Sequence, residues 1–177
     1  MAPNSQGNEE WDDTHRELTE QLVQLVTFRI LDPVEILLDS GEDLRPGLAT
    51  RARGWAADLL GADGQVAAQT AVRLISVLYT SDAPFDPPAA WWRSPLGQVV
   101  ARRVGHPATE AISYSVAGAM LGITRQGVHD LVRRNKLERH SDGGVTTQSV
   151  SARLNQRGDQ ANQRDATTRT KEVVNGP

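Results

Sequence analysis

The sequence predicts a mainly α protein in two parts, an N-terminal helical bundle and a C-terminal module of short helices with one small β-hairpin. Three observations predict it. Apolar residues recur at three- and four-residue steps through the first eighty positions, a proline-rich stretch then breaks that period, and beyond it short capped helical segments lead to an Asp-Gly-Gly turn. The expected division is 1–10 disordered, 11–80 an acidic bundle, 81–90 a Pro-rich linker or packed loop, 91–157 the second module and 158–177 a disordered tail.

From Trp11 onward, Leu18, Leu22, Leu25, Val26 and Ile30 form one helical stripe. Asp32-Pro33-Val34-Glu35 reads as a new helix start, with Asp as cap, Pro in the first turn and Glu completing a capping box, and Gly41 supplies the stop. Pro46 opens a third helix that carries Leu48, Ala52, Trp55, Ala56 and Leu59 and ends at Gly61. Asp63 caps a fourth with Val66, Thr70, Leu74, Ile75 and Leu78 inward. Trp55 is core first and interface second.

In the second module Trp91 and Trp92 precede Ser94-Pro95, a cap followed by a helix-starting proline. Aromatic residues there are core anchors before they are base-stacking platforms. Leu96, Val99, Val100 and Val104 form the stripe, and Gly105 with Pro107 ends it. Residues 112–137 divide into two short helices joined by a tight turn. Ser113 caps the first, and Val116, Ala117, Met120 and Leu121 face inward. Gly122 takes the positive backbone angle of the turn, and Ile123 plugs the angle between the helices. Thr124 caps the second helix, whose Val128, Leu131 and Val132 return to the core, while small Ala117 and Gly118 allow close crossing. Arg125, Gln126 and His129 are left outward, followed by Arg133, Arg134 and Lys136. Those are base-edge and phosphate chemistries, respectively. Next, Asp142-Gly143-Gly144 turns a short hairpin, Val145 returns inward, and Thr146 or Thr147 caps a last helix with Val150 and Leu154 inward and Arg153 and Arg157 exposed.

Charge separates along the same line. The chain carries 19 Lys and Arg against 22 Asp and Glu, a net of −3, yet residues 1–90 are strongly acidic and residues 91–157 basic. Only the second part suits a polyanion, because binding follows local potential more than net charge. Cysteine is absent, which removes disulfides, thiolate nucleophiles and cysteine-ligated metals. The four histidines are scattered, and no His-Glu-x-x-His pattern, phosphate-cradling glycine loop or nucleophile elbow occurs. Neither an enzyme, a cofactor nor a metal site is expected. Neither a secretory signal nor a run near the roughly 18 apolar residues of a membrane span is present, so a cytoplasmic, nucleoid-associated protein is expected.

A helical hairpin with a small residue four before the turn glycine and apolar residues six and nine after it resembles a DNA-binding helix-turn-helix. With the exit Lys136-Leu137, the glycine hairpin and the capped last helix in that order, Trp91 to Leu154 resembles the winged helix-turn-helix of the MerR and excisionase superfamily. More narrowly, it is similar to helix-turn-helix proteins of actinobacteria and their plasmids and phages. The fold class expected is therefore a helical bundle followed by a winged helix-turn-helix with a short β-hairpin wing; the first eighty residues lie outside the resemblance.

The resemblance implies that the helix from Thr124 to Arg134 enters the major groove with Arg125, Gln126 and His129 on base edges. It also implies that Arg139 and His140 reach a phosphate or the minor groove from the wing. Ser113 or Ser115 is placed to donate to a phosphate at a helix N-terminus. MerR regulators continue into a dimerising coiled coil that this sequence does not show, so a homodimer is expected through residues 11–80. A transcriptional repressor is the leading expectation. An architectural binder of a mobile element and a protein–protein adaptor working through the acidic bundle are the alternatives. The bland reading stays beside them: a structural hairpin whose Arg125, Gln126, His129, Arg139 and His140 are ordinary surface residues, with Asp130 orienting Arg133 or Arg134 along the helix.

Overall fold

The computed structural model describes residues 5–38 and 45–157, with side chains from residue 9. The molecule is mainly helical, with one two-stranded antiparallel sheet. Gly41 and the segments 1–4 and 158–177 lie outside the described residues. Among the described residues, no helix is long and apolar enough to cross a membrane.

The first helix, α1 (Ser5–Val26), begins inside the stretch expected to be disordered. It buries Leu18, Leu22 and Val26, while Leu25 and Ile30 are partly covered. The expected break at Asp32 does not occur. Asp32 is helical, and the chain runs through a π-helical turn, Thr27–Leu31, into α2 (Asp32–Leu38). Pro33 explains the turn: its ring collides with the carbonyl four residues back and it has no N–H to donate, so the helix widens locally instead of stopping. The Asp32 N–H accordingly reaches Thr27 O, one residue further back than an α-helix would take it.

α3 (Leu48–Leu60) starts two residues after Pro46 and buries Leu48, Ala52, Ala56 and Leu59, with Trp55 half-buried. α4 (Gly64–Leu78) is capped by Asp63, whose carboxylate accepts from the Gln65 and Val66 N–H groups. Val66, expected inward, is exposed, and Ala67 and Ala71 take the close-packed positions beside Thr70, Leu74, Ile75 and Leu78. Alanine at those points lets the backbone of α4 approach its neighbour α3.

Within residues 81–90, Pro87 is buried and Phe85 and Ala89 are partly buried, while the others are exposed. Phe85 sits edge-on to Tyr79 at 5.4 Å and to Trp91 at 5.1 Å, and Trp91 Nε1–H donates to Tyr79 Oη at 2.6 Å. Trp92, on the short α5 (Ala89–Trp92), is fully buried, which removes it as a base-stacking platform. α6 (Pro95–Arg103), capped by Ser94, packs against α1 and α4 on one side and α5 and α7 (Tyr114–Leu121) on the other. Two polar ties cross the same boundary: the Leu96 N–H donates to Gln21 Oε1 at 2.7 Å, and Arg103 donates to the Leu59 and Gly61 carbonyls at the end of α3. One hydrophobic core therefore runs from Leu18 to Leu154.

Gln98 joins the inner helices, its Nε2 donating to Trp92 O at 2.7 Å and Ala119 O at 2.8 Å. The sheet pairs β1 (Ala111–Ile112) with β2 (Val145–Thr146), Ala111 opposite Thr146 and Ile112 opposite Val145. The expected turn is present, its arms joined by the Arg139–Val145 bridge and by the Thr146 N–H on Glu138 O and the His140 N–H on Gly144 O, and the regular ladder adds a strand ahead of α7 that the sequence reading did not include. Gly144 makes that pairing possible: its φ is 76°, and a Cβ there would stand 2.2 Å from the Ile112 carbonyl oxygen. A final helix over 147–157 closes the module, with the Ser149 N–H on Thr146 Oγ1 and Val150 and Leu154 buried. Arg153, expected exposed, is half-buried, its Nε without a hydrogen-bond partner. Arg157 donates to Leu121 O at 2.7 Å and so satisfies a carbonyl at the end of α7.

Candidate nucleic-acid interface

The interface is built on α7 and α8 (Arg125–Arg133). Ser113 caps α7, its Oγ accepting from the Val116 N–H at 3.2 Å, and Thr124 caps α8 through the Gly127 N–H at 3.1 Å. Between them Gly122 has φ 64°, in the left-handed region where a Cβ is costly, and the Ile123 N–H returns to Gly118 O. A Cβ at Gly118 would stand 2.9 Å from Ile123 O, so the glycine sets how closely the two helices approach. Val128 anchors α8 from below, flanked by half-buried Leu131 and Val132.

This arrangement leaves Arg125, Gln126 and His129 exposed along one end of α8, and Arg133, Arg134 and Lys136 exposed at the other. The side chains of Arg125, Arg133, Arg134, Lys136 and Arg139 make no ion pair and no hydrogen bond among the described residues. Asp130, expected to orient Arg133 or Arg134, pairs with neither. Five uncommitted cations around one short helix are electrostatically costly together and favour an anionic partner. The Arg134 N–H closes the helix on Asp130 O, and Asn135 turns the chain with φ 53°.

His129 meets Tyr114 edge-on, ring centroids 5.3 Å apart. Tyr114 was not singled out in the sequence; fifteen positions separate the pair, and no helical or strand period links them. In the hairpin, Arg139 is exposed, whereas His140 is turned partly inward: its Nδ1 accepts from the Asp142 N–H at 3.2 Å, with Asp142 Oδ2 3.8 Å away. His140 therefore shapes the Asp142-Gly143-Gly144 turn. Ser115 is exposed on the first turn of α7, next to the capping Ser113.

No protein-family model, no curated protein and no solved structure matches this chain.

Proposed function

We propose that this chain is a sequence-specific double-stranded DNA-binding protein, most simply a transcriptional repressor, that places α8 in the major groove. The observation that carries the reading is the outward face of α8: uncommitted Arg125, exposed Gln126 and exposed His129 at its start, and uncommitted Arg133, Arg134 and Lys136 at its end. A helix is about 10–12 Å across and the major groove about 12 Å wide, so α8 fits with its side chains at the base edges. Arginine and glutamine present the forked donors and acceptors that discriminate guanine and adenine. Cations at the far end suit the flanking phosphates.

The finer fold reading, a winged helix-turn-helix of the MerR and excisionase type, is supported by the left-handed Gly122 turn, the two capped helices and the glycine turn that carries exposed Arg139. In this reading Arg139 reaches a neighbouring phosphate or the minor groove, His140 supports the turn beneath it, and Ser113 and Ser115 donate to a phosphate at the head of α7. The partner is DNA in the cytoplasm, bound by a homodimer formed through the N-terminal bundle. Ile36, Leu37 and Leu38, all exposed at the end of α2, support that pairing.

The test mixes purified full-length protein with fragmented genomic DNA at low salt and sequences what is retained. One discrete two-fold site near a promoter is expected. A tandem array would replace the repressor with an architectural binder of a mobile element. No enrichment over input from folded protein would overturn DNA binding and turn attention to the acidic bundle as a protein-docking surface.

A further inference from the structure

The loop before α5, the segment after α6 and the head of α7 enclose a cleft of about 470 Å³. That volume lies in the range of small-molecule sites, and most of the wall is apolar, from Ala83 and Pro84 across to Ile112 and Val116. Among the residues that line it, Asp86 alone carries a formal charge, and it is negative. At the cleft's inner edge lies His106. Its side chain is 0% exposed, its ring lies 5.1 Å from Trp92 at a tilt of 33°, and neither ring nitrogen has a hydrogen-bond partner. The nearest polar group is Asp86 Oδ1, 3.6 Å from Nε2, beyond hydrogen-bond reach.

A buried imidazole with both nitrogens unsatisfied is costly, and natural interiors leave few such groups without a purpose. Desolvation holds this one below the ordinary histidine value, which keeps it neutral and leaves a lone pair on one ring nitrogen. The Asp86 side chain is 77% exposed, so it can swing and open the space beside Nε2. With the ring proton on Nδ1, a donor group entering there meets two acceptors, one of them charged, while its hydrocarbon body lies on the alanine, proline, isoleucine and valine wall.

We infer that this cleft is a binding site for a small organic cation, a primary amine on a compact apolar body, whose ammonium bridges the Asp86 carboxylate and the His106 imidazole. An anionic ligand would face Asp86 unpaired, and a neutral one would leave its carboxylate unused. The site shares no residue with the exposed face of α8, although Ser113 at the head of α7 lines it, and it is tested in the absence of DNA.

The experiment titrates full-length protein with benzylamine, and in parallel with benzyl alcohol and benzoate, which keep the ring and change the head group. Amide signals of Ala83, Phe85, Asp86, His106 and residues 108–116 and the His106 ring signals are followed by NMR. Saturable shifts confined to these residues are expected with benzylamine, weaker by about tenfold with benzyl alcohol and in the Asp86→Asn variant, as loss of one charge-assisted hydrogen bond requires. Asp86 is exposed, so this variant keeps the fold, which circular dichroism checks. His106→Phe, which fills the same space without a nitrogen, is expected to lose the amine preference. Equal binding of benzoate, an unchanged affinity in Asp86→Asn, or no saturable shift in the cleft would each overturn the proposal.

Discussion

Among the described residues, every large apolar side chain that remains exposed, from Trp11 to Val77, belongs to the first half of the molecule, and residues 81–157 hold none. The second half instead gathers exposed, unpaired cations at and just beyond α8, whereas those of the first half, Arg51, Arg53 and Arg73, are spread over α3 and α4. The two surfaces are thus unfinished in opposite ways. An apolar surface is completed by burial against another apolar surface, and an uncommitted cationic one by an anion. That contrast exists although the halves share one core, with α6 packed against both. Surface and core therefore follow different divisions of the same chain.

The sharpest way to break the comparison is to ask whether the halves unfold together. Trp92 is fully buried at the junction, and Trp92→Ala is expected to cost about 3–5 kcal/mol and to lower one common transition in urea. Two separated transitions, one of them unmoved, would show two independent cores. The cationic surface is tested next. Arg125→Ala should cost about 1–3 kcal/mol at a selected site and relax base preference there, whereas Arg134→Ala should weaken all sequences alike and lower the salt slope by about one. If Arg125→Ala weakened cognate and scrambled duplexes equally, Arg125 would be a phosphate contact.

A third change probes the turn that aims α8. At Gly122 a Cβ meets nothing within 4 Å, so Gly122→Ala carries only the left-handed backbone penalty, about 1–2 kcal/mol by thermal or urea unfolding. A loss far above this would mean the turn is tighter than described. For the apolar surface, Leu37 is 82% exposed, so Leu37→Glu should leave monomer stability unchanged and weaken self-association by at least about tenfold in sedimentation. An unchanged oligomeric state would remove the end of α2 as an interface.

The smallest effect concerns acid. Burial depresses the His106 value below its usual 6.5, more than Asp86 raises it. Between the folded and unfolded values the unfolded chain binds more protons, so this contribution is complete above pH 6.5 and declines as the pH falls toward the folded value. Urea midpoints of the wild type should fall more steeply below pH 6.5 than those of His106→Phe. Parallel curves would show that His106 does not carry that dependence.

The helical stripes, the caps at Asp63, Ser94, Ser113 and Thr124, and the Gly122 turn were legible in the sequence because each depends on neighbours within four residues. So were the outward positions of Arg125, Gln126, Arg133 and Arg134, which follow once Val128 is inward. Other features depend on residues far apart. Pro33 carries the same local signal at a helix start as in a π-widened helix, and the surrounding packing decides between them. β1 is two residues long, too short for any period, and becomes a strand only because Gly144 lets the 139–146 hairpin approach Ile112. Tyr114 meets His129, Arg157 meets Leu121, and His106 stands unpaired beside Asp86 through contacts that no spacing encodes. By itself the sequence determined most of the helices, the caps at Asp63, Ser94, Ser113 and Thr124 and the separation of charge, which are short-range properties of backbone and side chain. The tertiary structure decided that one core spans both halves, where the sheet forms and what the cleft encloses, because burial and long-range pairing are properties of the assembled chain.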